Sequence, residues 1–238
     1  MTKPATTHSL FISEIFASVQ GEGALTGVPS IFVRTSGCNL RCDWCDTPYT
    51  SWNAEGQHMT FDQILTEHFD PWPGITHAVL TGGEPMIAPH MGAFCQRLKD
   101  RGMHITIETA GTVFHDFPVD LYSISPKLSN STPTRGPEAW KQRHDATRLN
   151  PQTIAQMMAS GADYQLKFVV TSPQDLQEIH ALTNPLNVPP HKIMLMPEGR
   201  SVPTLNKTAH WVVETCKTHG HRYCDRLQIR LFGDTKGT

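Results

Sequence analysis

The sequence predicts an α/β fold, a partial (open) TIM-like barrel of about six parallel strands with a reduced complement of helices. Three observations predict it. Short apolar, β-branched runs alternate with helical segments along most of the chain, which is the pattern of a parallel sheet with right-handed crossovers. The connection between the runs at 105–109 and 121–125 leaves roughly ten residues, too few for a full crossover helix, so a closed eight-unit barrel is not expected. The 238 residues show no internal repeat and no linker, so one domain spanning 1–238 is expected.

The elements follow in order. A first strand is predicted near 11–16, and the run SIFVRT at 30–35 reads as a buried strand. Residues 61–69 read as a helix capped by Thr60. The strand at 77–81 ends at Gly82-Gly83, and the helix at 91–100 stops at Gly102. Strands at 105–109 and 121–125 come next. The stretch 128–148, following Lys127, is polar and reads as a surface excursion. Helices at 151–160, 173–182 and 205–218 then alternate with strands at 165–171 and 192–196, and 226–232 is expected to close the series as a strand.

Composition removes several classes of function. Twenty Lys and Arg against 22 Asp and Glu give a net charge of −2, which does not suit a polyanion-binding surface, so no nucleic-acid partner is expected. No run approaches the ~18 apolar residues of a spanning helix, so no membrane partner is expected. The stretch from Met1 to Ser9 is polar and lacks a signal peptide's apolar core, which predicts a soluble, cytoplasmic protein. Six cysteines in a chain of this size point to metal or redox chemistry before disulfides.

Three of those cysteines stand in Cys38-Asn-Leu-Arg-Cys42-Asp-Trp-Cys45. Thiolates this close converge on one centre if the loop wraps around it, and Gly37 permits the turn. Iron–sulfur clusters are usually held by four thiolates, so three leave an open position for a ligand. A structural zinc site completed from elsewhere, or an electron-transfer cluster with a remote fourth cysteine, uses the same residues. The loop follows a predicted parallel strand, and so lies at the sheet edge where such folds place their active sites. Thr81-Gly82-Gly83-Glu84-Pro85, Glu108-Thr109 and Ser125-Pro126-Lys127 end three further strands, which argues for one site along that edge.

The spacing of Cys38, Cys42 and Cys45 after the first barrel strand resembles the radical S-adenosylmethionine superfamily, and Gly82-Gly83-Glu84-Pro85 resembles its methionyl-amine motif. With Val19-Gln20-Gly21-Glu22-Gly23, Arg34, Gly37, Cys45-Asp46-Thr47 and Ser125-Pro126-Lys127, the chain is similar to the 7-carboxy-7-deazaguanine synthase family, closely from about Phe11 to Lys127. The resemblance implies a lyase that converts 6-carboxy-5,6,7,8-tetrahydropterin to 7-carboxy-7-deazaguanine, within queuosine and 7-deazapurine biosynthesis. It implies a [4Fe–4S] cluster on Cys38, Cys42 and Cys45, S-adenosyl-L-methionine against Trp44, Cys45, Asp46, Gly83, Ser125, Pro126 and Lys127, and Mg2+ on Thr47. It places the pterin against Val19, Gln20, Gly21, Arg34, Thr81 and the terminal Thr238. It further implies an electron donor such as flavodoxin or ferredoxin, and a homodimer. The tail reads Phe232-Gly233-Asp234 where the family has Trp-Gly-Asn, a departure close to Thr238.

A second group of ligand-type residues, Cys216, His219, His221 and Cys224, reads as a helix end and turn rather than a zinc knuckle, because His-x-His spacing is unusual there. Cys95 falls inside a predicted helix and reads as a buried small apolar residue.

Overall fold

A computed structural model describes residues 8–238. Residues 1–7, most of the polar N-terminal stretch, lie outside the described residues. Among those described, nine strands form one sheet: β1 (Ser9–Val19), β2 (Pro29–Thr35), β3 (Gln57–Thr60), β4 (His77–Gly82), β5 (His104–Thr109), β6 (Leu121–Ile124), β7 (Asp163–Val170), β8 (Ile193–Pro197) and β9 (Arg222–Tyr223). Their order is β3-β1-β2-β4-β5-β6-β7-β8-β9. From β2 to β9 every neighbouring pair is parallel, whereas β1 pairs antiparallel with β2 and β3. The first and last strands do not meet, so the barrel is open as expected.

Among the described residues eight α-helices accompany the sheet: α1 (Pro48–Ser51), α2 (Phe61–Ile64), α3 (Met91–Asp100), α4 (Glu138–Thr147), α5 (Pro151–Met158), α6 (Asp175–Thr183), α7 (Val202–His219) and α8 (Leu227–Phe232). Thr60 caps α2 in a capping box with Gln63, and a π-type turn at Leu65–Phe69 continues it. No helix separates β5 from β6, which matches the short connection read from the sequence.

Period-two alternation divides the sheet into two unlike faces. Ile31, Val33, Leu80, Ile105, Ile107, Tyr122, Ile124, Leu166, Phe168 and Leu195 point to the main apolar core. The alternate positions Arg34, Thr81, Glu108, Ser123 and Lys167 line a concave cleft on the other face. A parallel sheet covered on both sides normally reads as unbroken apolar runs, so these polar interruptions mark the functional face.

One expectation is corrected. The segment 226–232 carries helix α8 rather than a strand; within α8 only Ile229 is buried, and the edge strand is the two-residue β9, paired to Met194 and Leu195. A short alternating segment fits either element, and the pairing partner decides. Within the 128–148 excursion, residues 134–143 are exposed while its flanks are anchored. Leu128, Ser131 and His144 are buried, and α4 lies within the stretch.

Candidate active site

The cysteine loop begins where β2 ends. Gly37 sits at φ 106°, a left-handed conformation that favours glycine, and its N–H donates to the Thr50 carbonyl at 2.8 Å. Cys38, Cys42 and Cys45 gather around Leu40 and Ala110. Burial pushes the Cys38 and Cys42 thiols up to about 12, so neither ionises unaided, whereas bound iron would hold both as thiolates.

The excursion clasps this loop. His144 Nδ1 accepts the Arg41 N–H at 3.1 Å, and its Nε2 lies 3.0 Å from Ser131 Oγ, which in turn donates to the Leu128 carbonyl at 2.6 Å. With Nδ1 accepting and the serine hydroxyl donating onward, the imidazole proton resides on Nε2. Burial lowers the His144 pKa to about 4, keeping the ring neutral. The Asp43 N–H donates to the Ser131 carbonyl at 3.0 Å, Trp44 Nε1 donates to the Asn130 carbonyl at 3.0 Å, and Trp52 Nε1 donates to the Cys42 carbonyl at 3.2 Å.

The glycine pair after β4 does something the sequence did not disclose. A Cβ on Gly83 would fall 2.2 Å from the Gly37 carbonyl oxygen and 2.7 Å from Cys38 Cβ. The neighbour that needs this space is the cysteine loop itself. The Gly83 N–H donates to Thr35 at 3.2 Å and the Glu84 N–H to Gly37 at 2.9 Å, stitching the two loops together. The fully buried Glu84 carboxyl accepts from Thr109 Oγ1 at 2.7 Å and the Ala110 N–H at 2.8 Å, tying in β5; burial raises its pKa.

A cleft of about 220 Å³ opens beside the loop. Of the residues expected to bind S-adenosylmethionine, Trp44, Asp46, Gly83, Ser125 and Lys127 line it, while Cys45 and Pro126 do not. Pro126 is buried beneath. Lys127 donates to Ser125 Oγ at 2.8 Å and sits 5.6 Å from the Trp44 ring centre, a cation–π arrangement. Thr47 lines the cleft, and its hydroxyl makes no capping bond to α1. Val19, Gln20, Gly21, Arg34, Thr81 and Thr238 also line it. Gln20 spends its side-chain N–H on Ser30 Oγ at 3.0 Å. Arg34 Nε pairs with Glu14 at 2.6 Å.

Sequence reasoning missed the charged floor. Glu22 pairs with Lys167 and, at 3.0 Å, with Arg226 Nε; Gln228 donates to it at 2.7 Å. Arg226 also pairs with Asp46 and donates to the Gly199 carbonyl at 2.7 Å, while Lys167 lies 3.6 Å from Glu108. Burial opposes ionisation of Glu22, but Lys167 and Arg226 outweigh it and hold the carboxyl well below the usual range. Burial likewise opposes a charged Lys167, and Glu22 and Glu108 outweigh it, keeping the ammonium protonated. One signal was available: Gln165 and Lys167 alternate with Leu166 and Phe168 in a strand buried throughout from Gln165 to Val170.

The stretch from Cys216 to Cys224 is the end of α7, a turn at Gly220 and β9. Cys224 Sγ accepts the Gly23 N–H at 3.2 Å, whereas Cys216 packs in the main core. Cys95 is fully buried in α3, as read.

Comparison with known proteins supplies the rest. Residues 32–131 match the Radical SAM superfamily. A 7-carboxy-7-deazaguanine synthase of Rhodopirellula baltica is 45% identical over 98% of this chain and 91% of its own length. One of Halobacterium salinarum is 42% identical over 97% and 93%. The crystal structure of QueE from Escherichia coli superposes with a TM-score of 0.68 at 24% identity, covering 92% of this chain and 94% of that one, a likeness of fold. Three thiols on a loop at the strand ends, a polar cleft beside them and near-full-length identity to these enzymes lead to one conclusion: the chain belongs to the 7-carboxy-7-deazaguanine synthase family of radical S-adenosylmethionine enzymes.

Proposed function

We propose that this chain converts 6-carboxy-5,6,7,8-tetrahydropterin to 7-carboxy-7-deazaguanine with loss of ammonia, as a step of 7-deazapurine and queuosine biosynthesis. The observation that carries the reading is the near-full-length likeness to the named synthases. The donor set fits a [4Fe–4S] cluster with one open iron, because three thiols share the loop while Cys95, Cys216 and Cys224 pack elsewhere. Bound there, the cluster and S-adenosylmethionine would supply the one-electron radical chemistry that removes the substrate's C6 hydrogen.

The chain's own residues bind and orient. Trp44, Asp46, Gly83, Ser125 and Lys127, which line the cleft, would hold the cofactor. Arg34 keeps both terminal nitrogens for the substrate carboxylate, since Glu14 engages only Nε. Val19, Gln20, Gly21, Thr81 and Thr238 surround the pterin. Lys167 is a fixed positive charge rather than a base, because Glu22 and Glu108 keep its proton on. The Thr47 hydroxyl, free of capping duty and beside Asp46, suits a Mg2+ shell completed by substrate and water. The electron comes from a flavodoxin- or ferredoxin-type donor, and the working unit is a homodimer. No helix among the described residues is long and apolar enough to cross a membrane.

The test is anaerobic reconstitution with iron and sulfide, followed by dithionite, Mg2+, S-adenosylmethionine and the pterin. Mass spectrometry should find 7-carboxy-7-deazaguanine, absent with Cys38→Ala. Release of 5′-deoxyadenosine with no deazapurine would keep the superfamily chemistry and overturn the substrate.

A further inference from the structure

Away from the cleft, three imidazoles meet on the helical side of the sheet edge. His180 lies in α6, His219 ends α7, and His221 follows the turn into β9. One ring nitrogen of each falls within 4.8 Å of the others. Gly220, at φ 70°, reverses the chain between His219 and His221 so that their rings stack 19° from parallel with centres 5.5 Å apart. The His180 ring closes the third side, 5.0 Å and 6.0 Å from the other two. None of the three lines the cleft.

A further observation points to a ligand. Both ring nitrogens of His221 are buried and make no hydrogen bond, an arrangement that costs free energy unless something satisfies them.

We infer that His180, His219 and His221 form a site for a divalent transition cation of the Zn2+ class, with water as the fourth ligand. An all-imidazole set selects such a cation over Mg2+ or Ca2+. Metal–nitrogen bonds of about 2.0 Å put the nitrogens roughly 3.3 Å apart in a tetrahedron, within reach of small side-chain rotations. The bound ion fastens α6 to the α7–β9 turn, three residues ahead of Cys224. The two cysteines that share this stretch of sequence are not part of it, since Cys216 and Cys224 pack in separate clusters.

The test uses the reconstituted holoenzyme, whose cluster occupies Cys38, Cys42 and Cys45. Zn2+ is titrated against a chromophoric chelator and Co2+ binding is followed by absorption. One ion per chain is expected beyond the cluster iron, with cobalt d–d bands and no thiolate-to-cobalt charge transfer. His180→Gln and His219→Gln, the half-buried and exposed members, should each weaken binding at least about 100-fold and remove the rise in melting temperature that Zn2+ gives the unaltered protein. Unchanged binding in both variants, a thiolate charge-transfer band, or no ion taken up at micromolar Zn2+ would each overturn the site. The readout is independent of turnover, so it stands apart from the proposed reaction.

Discussion

Replacing His144 with alanine should loosen the cysteine loop, and the structure sets the size of the effect. The ring is 1% exposed and bridges Arg41, beside Cys42, to Ser131 in the excursion. Alanine leaves the Arg41 N–H without its acceptor, at about 1–3 kcal/mol for a buried group left unsatisfied, and adds a cavity, while the Ser131 hydroxyl keeps its bond to the Leu128 carbonyl. A loss of about 3–5 kcal/mol is expected in urea denaturation of the metal-free protein. His144→Asn offers an acceptor in the Nδ1 position and should recover part of it. The pH dependence supplies a second check. The folded pKa is depressed from the usual 6.5 to about 4, so the fold prefers the neutral ring. That contribution is complete above pH 6.5 and is lost as pH falls through the unfolded value towards the folded one. Between pH 7 and pH 5 the linkage relation gives a loss of about 2 kcal/mol in the unaltered protein that His144→Ala lacks. Parallel stability–pH curves for the two proteins would refute the reasoning, as would a metal-free His144→Ala variant as stable as its parent.

Other perturbations probe the cleft. Lys167→Met leaves Glu22 to Arg226 alone and Glu108 without its cation, and should cost about 3–5 kcal/mol; adding Glu22→Gln should restore part of that, measured by thermal unfolding. Gly83→Ala drives a methyl into Gly37 and Cys38 and should lower iron content after reconstitution, whereas Gly74→Ala meets open space and should leave it unchanged. Arg34→Lys forfeits the paired terminal nitrogens offered to the pterin carboxylate and should raise KM by about 10-fold with a smaller change in kcat; an unaltered KM would remove Arg34 from the substrate site. In acid the Glu22 carboxylate, held below its usual pKa by Lys167 and Arg226, stabilises the fold above the unfolded carboxylate pKa; this is lost as pH falls through the folded value, and Glu22→Gln should flatten the acid limb of a stability–pH curve.

The local devices were legible in the sequence because each acts over a few residues. Thr60 with Gln63 caps a helix whatever surrounds it. Gly37 needs its left-handed φ for the loop to turn, and the short span between β5 and β6 excludes a helix by length alone. The anchoring of the excursion was not legible because Ser131 and His144 are polar, and only their bonds to one another and to the cysteine loop explain their burial. The 226–232 segment was misjudged because seven residues satisfy two periodicities, and β8 pairs with Arg222 and Tyr223 instead.

The sequence by itself determined the parallel open sheet, the three-cysteine loop and the strand ends that carry the site, since each is written in spacing along the chain. Tertiary structure alone decided the charged floor. Glu22, Lys167 and Arg226 come from distant segments, and each is costly to bury without the others. The same holds for the three imidazoles, where His180 lies about forty residues from its partners and no local pattern pairs it with them. A charge or a ligand acquires its meaning from what stands opposite it, and that partner is set by the fold.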